Sequence, residues 1–413
     1  MTEAVIVSAV RTPIGSYMGA LKEIPAYDLG ALVLNEVVKR AGIDPGQVGD
    51  VVMGQAYQSG EYVNIARMSL LKAGWPEAVP GVTLDRRCCT GLDVVCFAAM
   101  LVQSGQMDIA VAGGVESMSS AEFYVPGDIK WGVGGKKGMP RGHGDMSMWG
   151  LPMYDRIQRA RVMSQPEDRY GILPSMMAWA ETGAAEEGIS REACDQWALG
   201  SHQKAVAAIQ AGKFKDEIVP VSVPQRRGDP IVVDTDQGPR EDTSLEKLAK
   251  LRPVMGGVCT AGNSSSENDG AAAVVVTSRE KAVALGLEPL AALKSFAVVG
   301  DDPTRTYKTV PKAADMALKR AGLELSQIDL IEIQEAFAAQ VLADLKPMGV
   351  GESDYDRVNV NGSGISLGHP IAATGTRVLT TLLGEMKRRG ARYGLECICG
   401  GGGLGIAAVL ERK

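Results

Sequence analysis

The sequence predicts an α/β fold made of two copies of one unit, and three observations carry that prediction. Lys39-Arg-Ala-Gly-Ile43 recurs as Lys319-Arg-Ala-Gly-Leu323, and without a gap Gln47 matches Gln327, Val48 matches Ile328 and Ala56 matches Ala336. Thr90-Gly91 pairs with Thr374-Gly375, each opening an apolar helix that leads to a strand and a glycine cluster. Short apolar runs alternate with helical patterns closed by glycine, the order expected of α/β units with parallel-type crossovers. Two matches in the same order, roughly 280 residues apart, speak against coincidence and for a duplication. Two such halves should pack about a pseudo-twofold, with matching strand ends facing one shared site.

Val5–Ala9 reads as the first strand. Leu29, Leu32, Val33 and Val37 fall at helical spacing in a helix over Asp28–Arg40, closed by Gly42 as a left-handed terminal glycine. Val48–Met53 is a strand, Asn64–Ala73 a helix, and Pro80–Arg87 runs extended into Cys88. The helix Thr90–Ser104 is apolar enough to be buried, and the strand Ile109–Ala112 is expected to stop at Gly113-Gly114. From about Phe123 to Pro253 the chain is irregular and rich in Gly, Met, Arg and Asp, an excursion inserted in the first half. It still predicts helices over Ser175–Glu187 and Ser190–Ala211, the latter with Ser190 as N-cap and Glu192 in its first turn. Strand-forming sequence resumes at Ala271–Thr277.

Composition narrows the function classes. The 413 residues are 45% hydrophobic and 22% charged, as in ordinary globular proteins. No apolar run approaches the ~18 residues of a membrane span. Met1-Thr-Glu-Ala-Val-Ile-Val7 has no basic region before its apolar run, so it reads as a strand, not a signal peptide. Seven cysteines, an odd number in so long a chain, do not make a disulfide scaffold, and a reducing, cytoplasmic setting is expected. A net charge of −6 argues against nucleic acid, but local Lys and Arg could still receive an anionic substrate. Glycine, 50 residues against a usual ~7% of the chain, is gathered in tight motifs.

Of the three histidines, His202 reads as a solvated helix residue and His143 lies in a glycine-rich loop. His369 lies in Asn361-Gly-Ser-Gly-Ile-Ser-Leu-Gly-His-Pro370, where glycines bring the backbone close to something just before a helix. Cys96, Cys194 and Cys259 read as small core residues. Cys88 and Cys89 stand where an extended segment meets the helix from Thr90, so the unpaired N–H groups there should favour a thiolate. Cys397 and Cys399 share a strand and are expected to face opposite sides, one into packing and the other at the strand end before Gly400–Gly405. The CC and CxC spacings with almost no histidine do not suit zinc. The glycines of Gly400–Gly405 lack the Lys-Ser/Thr of a phosphate loop and are better suited to point backbone N–H groups at a developing charge. Two thiols, a histidine and such a turn suit acyl transfer: attack of a thiolate on a carbonyl, proton removal by histidine, and proton exchange at carbon by the second thiol.

At this point the chain resembles the thiolases, acyl-CoA:acetyl-CoA C-acyltransferases, over essentially its full length. Thr83-Leu-Asp-Arg-Arg-Cys-Cys-Thr-Gly-Leu92 corresponds to the family's nucleophile motif, which implies Cys88 as the acylated cysteine. Gly257–Gly270 corresponds to the motif returning from the loop domain and places Ser265 at the pantetheine arm. Gln334-Glu-Ala-Phe337 corresponds to the Asn-Glu-Ala-Phe motif, with Ala336 and Phe337 beside the cofactor, and Gly368-His-Pro370 supplies His369 as base. Cys399 falls on the second catalytic cysteine and Gly401 on an oxyanion position. The resemblance implies a five-layered α-β-α-β-α sandwich. It assigns 1–119 with 251–277 to the first half, 120–250 to an inserted loop domain shaping the CoA and acyl pocket, and 278–413 to the second half. It further implies CoA as co-substrate with no permanently bound cofactor, and a homodimer or homotetramer. Arg240 matches a position near the adenine nucleotide.

The departures concern substrate choice. Gln334 stands where the family usually has a catalytic Asn whose amide helps the histidine hold a water at one oxyanion hole, which implies the same catalytic role for Gln334 with a reach about one bond longer; Cys89 and Thr90 replace Gly and Ser; Ser363 replaces a glycine; Ser175 replaces a histidine near the acyl pocket of short-chain members. Met139, Met146, Met148, Met153, Met163, Met176 and Met177 could fill a core, a subunit contact or a wide acyl pocket, with Met176 the best pocket candidate. These departures suggest 3-ketoacyl-CoA substrates larger than acetoacetyl-CoA; condensation of two acetyl-CoA is the alternative. A β-ketoacyl synthase would lack Cys399, a relic acyl-CoA carrier would have lost Cys88, His369 or Cys399, and a Cys–His hydrolase would have no use for Cys399.

Overall fold

The computed structural model describes residues 2–127 and 152–413. The first half runs β1 (Ala4–Arg11), α1 (Ala26–Ala41), β2 (Asp50–Gly54), α2 (Ile65–Lys72), β3 (Gly81–Leu84), α3 (Thr90–Gln103) and β4 (Ile109–Ser117). An excursion with α4 (Arg156–Val162), α5 (Met177–Glu187) and α6 (Arg191–Gln210) precedes its last strand, β5 (Asn268–Ser278). The second half runs β6 (Ala291–Gly300), α7 (Thr309–Ala321), β7 (Leu330–Ile333), α8 (Ala338–Leu345), α9 (Ile371–Arg389), β8 (Tyr393–Gly400) and β9 (Leu404–Glu411).

The duplication is visible in the strand order. The sheet runs β7-β8-β9-β6-β1-β5-β4-β2-β3. Read outward from the centre, β6-β9-β8-β7 repeats β1-β5-β4-β2. The halves join where β1 meets β6 through Val5↔Ala292 and Ile6↔Ala291. The β2–β3, β2–β4 and β7–β8 pairs are parallel, as α/β crossovers require, while β1–β5, β4–β5, β6–β9 and β8–β9 are antiparallel. The repeated sequence does repeated work. Gly42 and Gly322 close α1 and α7 at φ 65° and 68°. Gln47 and Gln327 then accept the backbone N–H of Asp44 and Glu324, at 3.2 and 2.9 Å.

Side-chain alternation along the strands sorts the core into layers. Leu29, Val33 and Val37 of α1 pack on Val51, Val111 and Val275. On the other face of that half-sheet, Val52, Ala112 and Val274 meet Leu92 and Val95 of α3 and Leu379 and Leu382 of α9, which also cover Ile398, Ile406 and Ala408 of the second half-sheet. Beyond it lie Ala313, Ala317 and Val341 of α7 and α8, with Trp179 and Trp197 of the excursion. The order is helix, sheet, helix pair, sheet, helix: five layers with α3 and α9 in the middle.

Two expectations are corrected here. Cys397 and Cys399 face the same side, toward the outer layer of α7 and α8, while Ile398 faces the middle layer. Residues two apart on a strand share a face, so the CxC spacing requires this. The strand expected to stop at Gly113-Gly114 continues to Ser117. Its glycines are there for close approach: a Cβ on Gly114 would lie 1.9 Å from Ala372 O at the start of α9.

The same close approach joins the two central helices through the repeated Thr-Gly pair. A Cβ on Gly375 would lie 2.1 Å from Leu92 N, and one on Gly91 2.6 Å from Gly375 N. Thr376 Oγ1 donates to Gly91 O at 2.7 Å across that contact. Gly375→Ala is therefore expected to force α3 and α9 apart at a cost of about 1–3 kcal/mol or more. The measurement is the midpoint of urea or thermal unfolding, and an unchanged midpoint would disprove the backbone contact.

Candidate active site

The chain turns sharply where β3 gives way to α3. Arg87 N–H donates to Asp85 Oδ1 at 2.7 Å, Arg86 N–H to Thr90 Oγ1 at 2.6 Å, and Cys89 N–H to Arg86 O at 3.1 Å. Arg87 is held at φ 55°, which costs a non-glycine residue about 1 kcal/mol or more. This elbow presents Cys88, the one cysteine that is not fully buried, to a cleft. Its thiol is nevertheless pushed up. Burial raises the pKa more than the Gly401 N–H, Arg87 and Arg161 lower it, so the thiolate expected from helix position alone is not the resting form.

His369 follows Gly368, whose φ of 104° and close packing on Asn268 leave no room for a side chain. Asn268 Oδ1 accepts the His369 N–H at 2.8 Å. Thr374 Oγ1 lies 2.7 Å from Nδ1 and also donates to Pro370 O at 3.1 Å. With its hydroxyl proton committed to Pro370, Thr374 accepts from Nδ1–H, which leaves Nε2 as the basic nitrogen. Burial first, then Arg377 and Arg161, pulls the imidazole pKa down to about 3, so it is neutral at pH 7. Thr374 was not singled out in the sequence as a site residue. Its sequence pairing with Thr90, whose Oγ1 accepts the Arg86 N–H in the Cys88 turn, is the signal that could have found it.

Three motif segments lie side by side. Ser265 N–H donates to Ala336 O at 2.9 Å, Ser264 bridges to Phe337, and Glu267 bridges to His369. Glu335 locks them from behind, accepting from Trp197 Nε1, Ser201 Oγ, Asn359 Nδ2 and Ile365 N–H. Glu116, buried at the end of β4, accepts from Ala56 and Tyr57 N–H at 3.1 and 3.0 Å and from Ala372 N–H at 3.1 Å. One carboxylate thus ties a cleft wall to the start of α9, and burial pushes its pKa up to about 7.

A cleft open to solvent brings together Cys88, His369, Cys399, Gly401, Ser265, Met176, Ala336 and Phe337. Cys399 closes its floor, its thiol pushed well up by burial, then by Asp344 and its neighbours Cys88 and Cys89. Gln334 is not in the lining. Its side chain is fully buried, turned onto Gly364, where a Cβ would lie 2.4 Å from Nε2. Arg240 is also outside, on an adjoining cleft with Lys247, Gln237 and Ser264; Ser266 borders both clefts.

His202 is not solvated. It is buried beside that second cleft, and its Nδ1 accepts the Arg240 N–H at 3.2 Å. Burial, then Arg240, lowers its pKa to about 4. Ser175, Met176 and Met177 line the main cleft, whereas Met153 and Met163 are exposed. Met139, Met146, Met148 and His143 lie outside the described residues. Among the described residues no cluster of His, Cys, Asp or Glu forms a metal site, and no helix is long and apolar enough to cross a membrane.

Models of the thiolase N-terminal and C-terminal domains match residues 4–280 and 287–412. The chain is 45% identical over 416 residues to an acetyl-CoA acetyltransferase of Cupriavidus necator, and 42% identical over 414 residues to a probable acetyl-CoA acyltransferase of Staphylococcus aureus, spanning 100% of both chains each time. It matches the crystal structure of the Bacillus anthracis acetyl-CoA acetyltransferase with a TM-score of 0.90 and 39% identity, over 100% of this chain and 99% of that one. Duplicated fold, motif order and full-length relatives agree, and the chain belongs to the thiolase family of CoA-dependent acyltransferases.

Proposed function

We propose that the chain cleaves 3-ketoacyl-CoA thioesters longer than acetoacetyl-CoA, and runs the reverse condensation, through an acyl group on Cys88. The observation that carries this reading is the convergence of Cys88, His369, Cys399 and the Gly401 turn on one cleft. His369 Nε2 takes the Cys88 proton as sulfur attacks the 3-keto carbonyl. The C2–C3 bond breaks, and Cys399 gives its proton to C2 of the departing acetyl-CoA. CoA then passes its thiol proton to the Cys399 thiolate and attacks the acyl group, and Cys88 leaves as a thiol. The Gly401 N–H stabilises the oxyanion on the Cys88 side. Gln334, behind the wall, supports the site from the Gly364 loop rather than touching substrate.

Ser265, with Ala336 and Phe337, borders the pantetheine path, and on the adjoining cleft, where Asp242 pairs with Lys247, Arg240 is the cation that suits the CoA phosphates. The excursion over 120–250 supplies walls to both clefts, which supports its reading as a loop domain between halves 1–119 with 251–277 and 278–413. Seven free cysteines suit a cytoplasmic protein, and the family supports a homodimer or homotetramer.

The experiment is kcat/KM for thiolysis of 3-ketoacyl-CoAs from four to twelve carbons, with one phenyl-bearing analogue. Each methylene buried by an accommodating pocket adds about 0.8 kcal/mol, so kcat/KM should rise beyond four carbons until the cleft is full. A steep maximum at four carbons would instead favour the acetoacetyl-CoA-forming reading, which the names of the C. necator and B. anthracis relatives support.

The role given to Thr374 has its own test. Thr374→Val should lower kcat about 10-fold or more by freeing the His369 ring, a fraction of the 10²–10⁴-fold typical of a positioned base. Thr374→Ser should restore most of it. Equal loss in both variants would point to packing alone.

A further inference from the structure

The cleft that holds Cys88 is apolar along Met118, Ala160, Met176 and Ile371, yet two guanidinium groups line it, Arg87 and Arg161. No carboxylate is among the described residues that line it. Tyr57 lines the same cleft as both cations. Arg87 immediately precedes the nucleophile in the left-handed elbow, a backbone conformation held by Asp85 and Thr90 rather than by any need of the arginine. Arg161 is anchored from the rear: its Nη1 lies 2.7 Å from Glu267, which lines the adjoining cleft and not this one. A guanidinium carries five N–H donors, so one ion pair does not exhaust it.

We propose, on the thiolase reading above, that this cleft selects 3-oxoacyl-CoA substrates whose acyl chain ends in a carboxylate, with Arg161 and Arg87 receiving that carboxylate beside Tyr57. A plain alkyl chain gains from each methylene it buries on the apolar wall, but where its end reaches the two cations it strips water from them without replacing those hydrogen bonds. A carboxylate returns charge-assisted, partly bidentate hydrogen bonds. The reaction itself is unchanged: its products are acetyl-CoA and the CoA monothioester of a dicarboxylic acid two carbons shorter. The CoA phosphates have a separate cation in Arg240 on the adjoining cleft.

The test compares, at six, seven and eight carbons, kcat/KM for 3-oxoacyl-CoAs ending in a carboxylate with methyl-terminated counterparts of equal length. The wild-type ratio should exceed 10 at one length or more. Arg161→Met and Arg87→Met should each bring that ratio down at least 10-fold; because both substrates meet the same variant, a general loss of activity cancels. A wild-type ratio of one or less at every length, with neutral chains turned over, overturns the inference and leaves the thiolase reading standing. A high ratio that neither variant changes overturns the assignment to these arginines. No turnover of any 3-oxoacyl-CoA defeats the thiolase reading, and the inference with it.

Discussion

Cys88→Ala is expected to abolish both thiolysis and acetyl exchange, with a loss of at least about 10⁴-fold, the scale on which removal of a nucleophile acts. Incubation of the unaltered protein with acetyl-CoA should add one acetyl group, and peptide mapping should place it on Cys88. The burial pattern makes this selective. Cys89 is fully buried against Gly400 with its Sγ 3.5 Å from Ile398 O, and Cys96 is enclosed in the middle helix layer, so neither can reach a thioester without unfolding. An acetyl group found on either would refute the assignment. The raised Cys88 pKa adds a pH signature. Since the thiolate is the nucleophile, alkylation by iodoacetamide should accelerate up to tenfold per pH unit through neutrality and level off only above the ordinary thiol range. A rate already flat at pH 7 would mean that the helix N-terminus outweighs burial after all.

The duplication was legible because the same local problem is solved twice with the same residues. Gly42 and Gly322 stop equivalent helices, and Gln47 and Gln327 cap equivalent turns. The sequence also marked Thr90-Gly91 and Thr374-Gly375 as equivalents, but not that the two glycines touch, because contact between helices more than 280 residues apart is a property of packing, not of pattern. The catalytic turns were legible through glycine and residue type. What lay beyond reading was direction. Gln334 sits in a motif, but its amide points to Gly364. His202 sits among polar helix neighbours, yet the Arg240 segment folds over it. Cys397 and Cys399 share a face, as strand periodicity alone requires. The Cys88 pKa depends on how deep the cleft is, and a helix start in the sequence gives the favourable term without the burial that opposes it.

Cys399→Ala should separate the two halves of the reaction. The variant is expected to acquire an acetyl group on Cys88 from acetyl-CoA, because Cys88, His369 and the Gly401 N–H are all retained. It should fail to exchange the α-protons of bound acetyl-CoA with deuterium, by 10²–10⁴-fold on the scale of a positioned acid–base group. Thiolysis and condensation should fall with it, since both pass through carbanion character at that carbon. The environment fits this division of labour. Cys399 is buried at the cleft floor with its thiol pushed well above the usual range, so it rests as a proton donor, whereas Cys88 reaches solvent and feels Arg87 and Arg161. Alanine removes the sulfur with little change of shape, and the acetyl group on Cys88 reports in the same sample that the fold and the first half-reaction survive. Normal deuterium exchange in an acetylated Cys399→Ala protein would assign the carbon acid step to another group, with His369 the remaining base on the cleft.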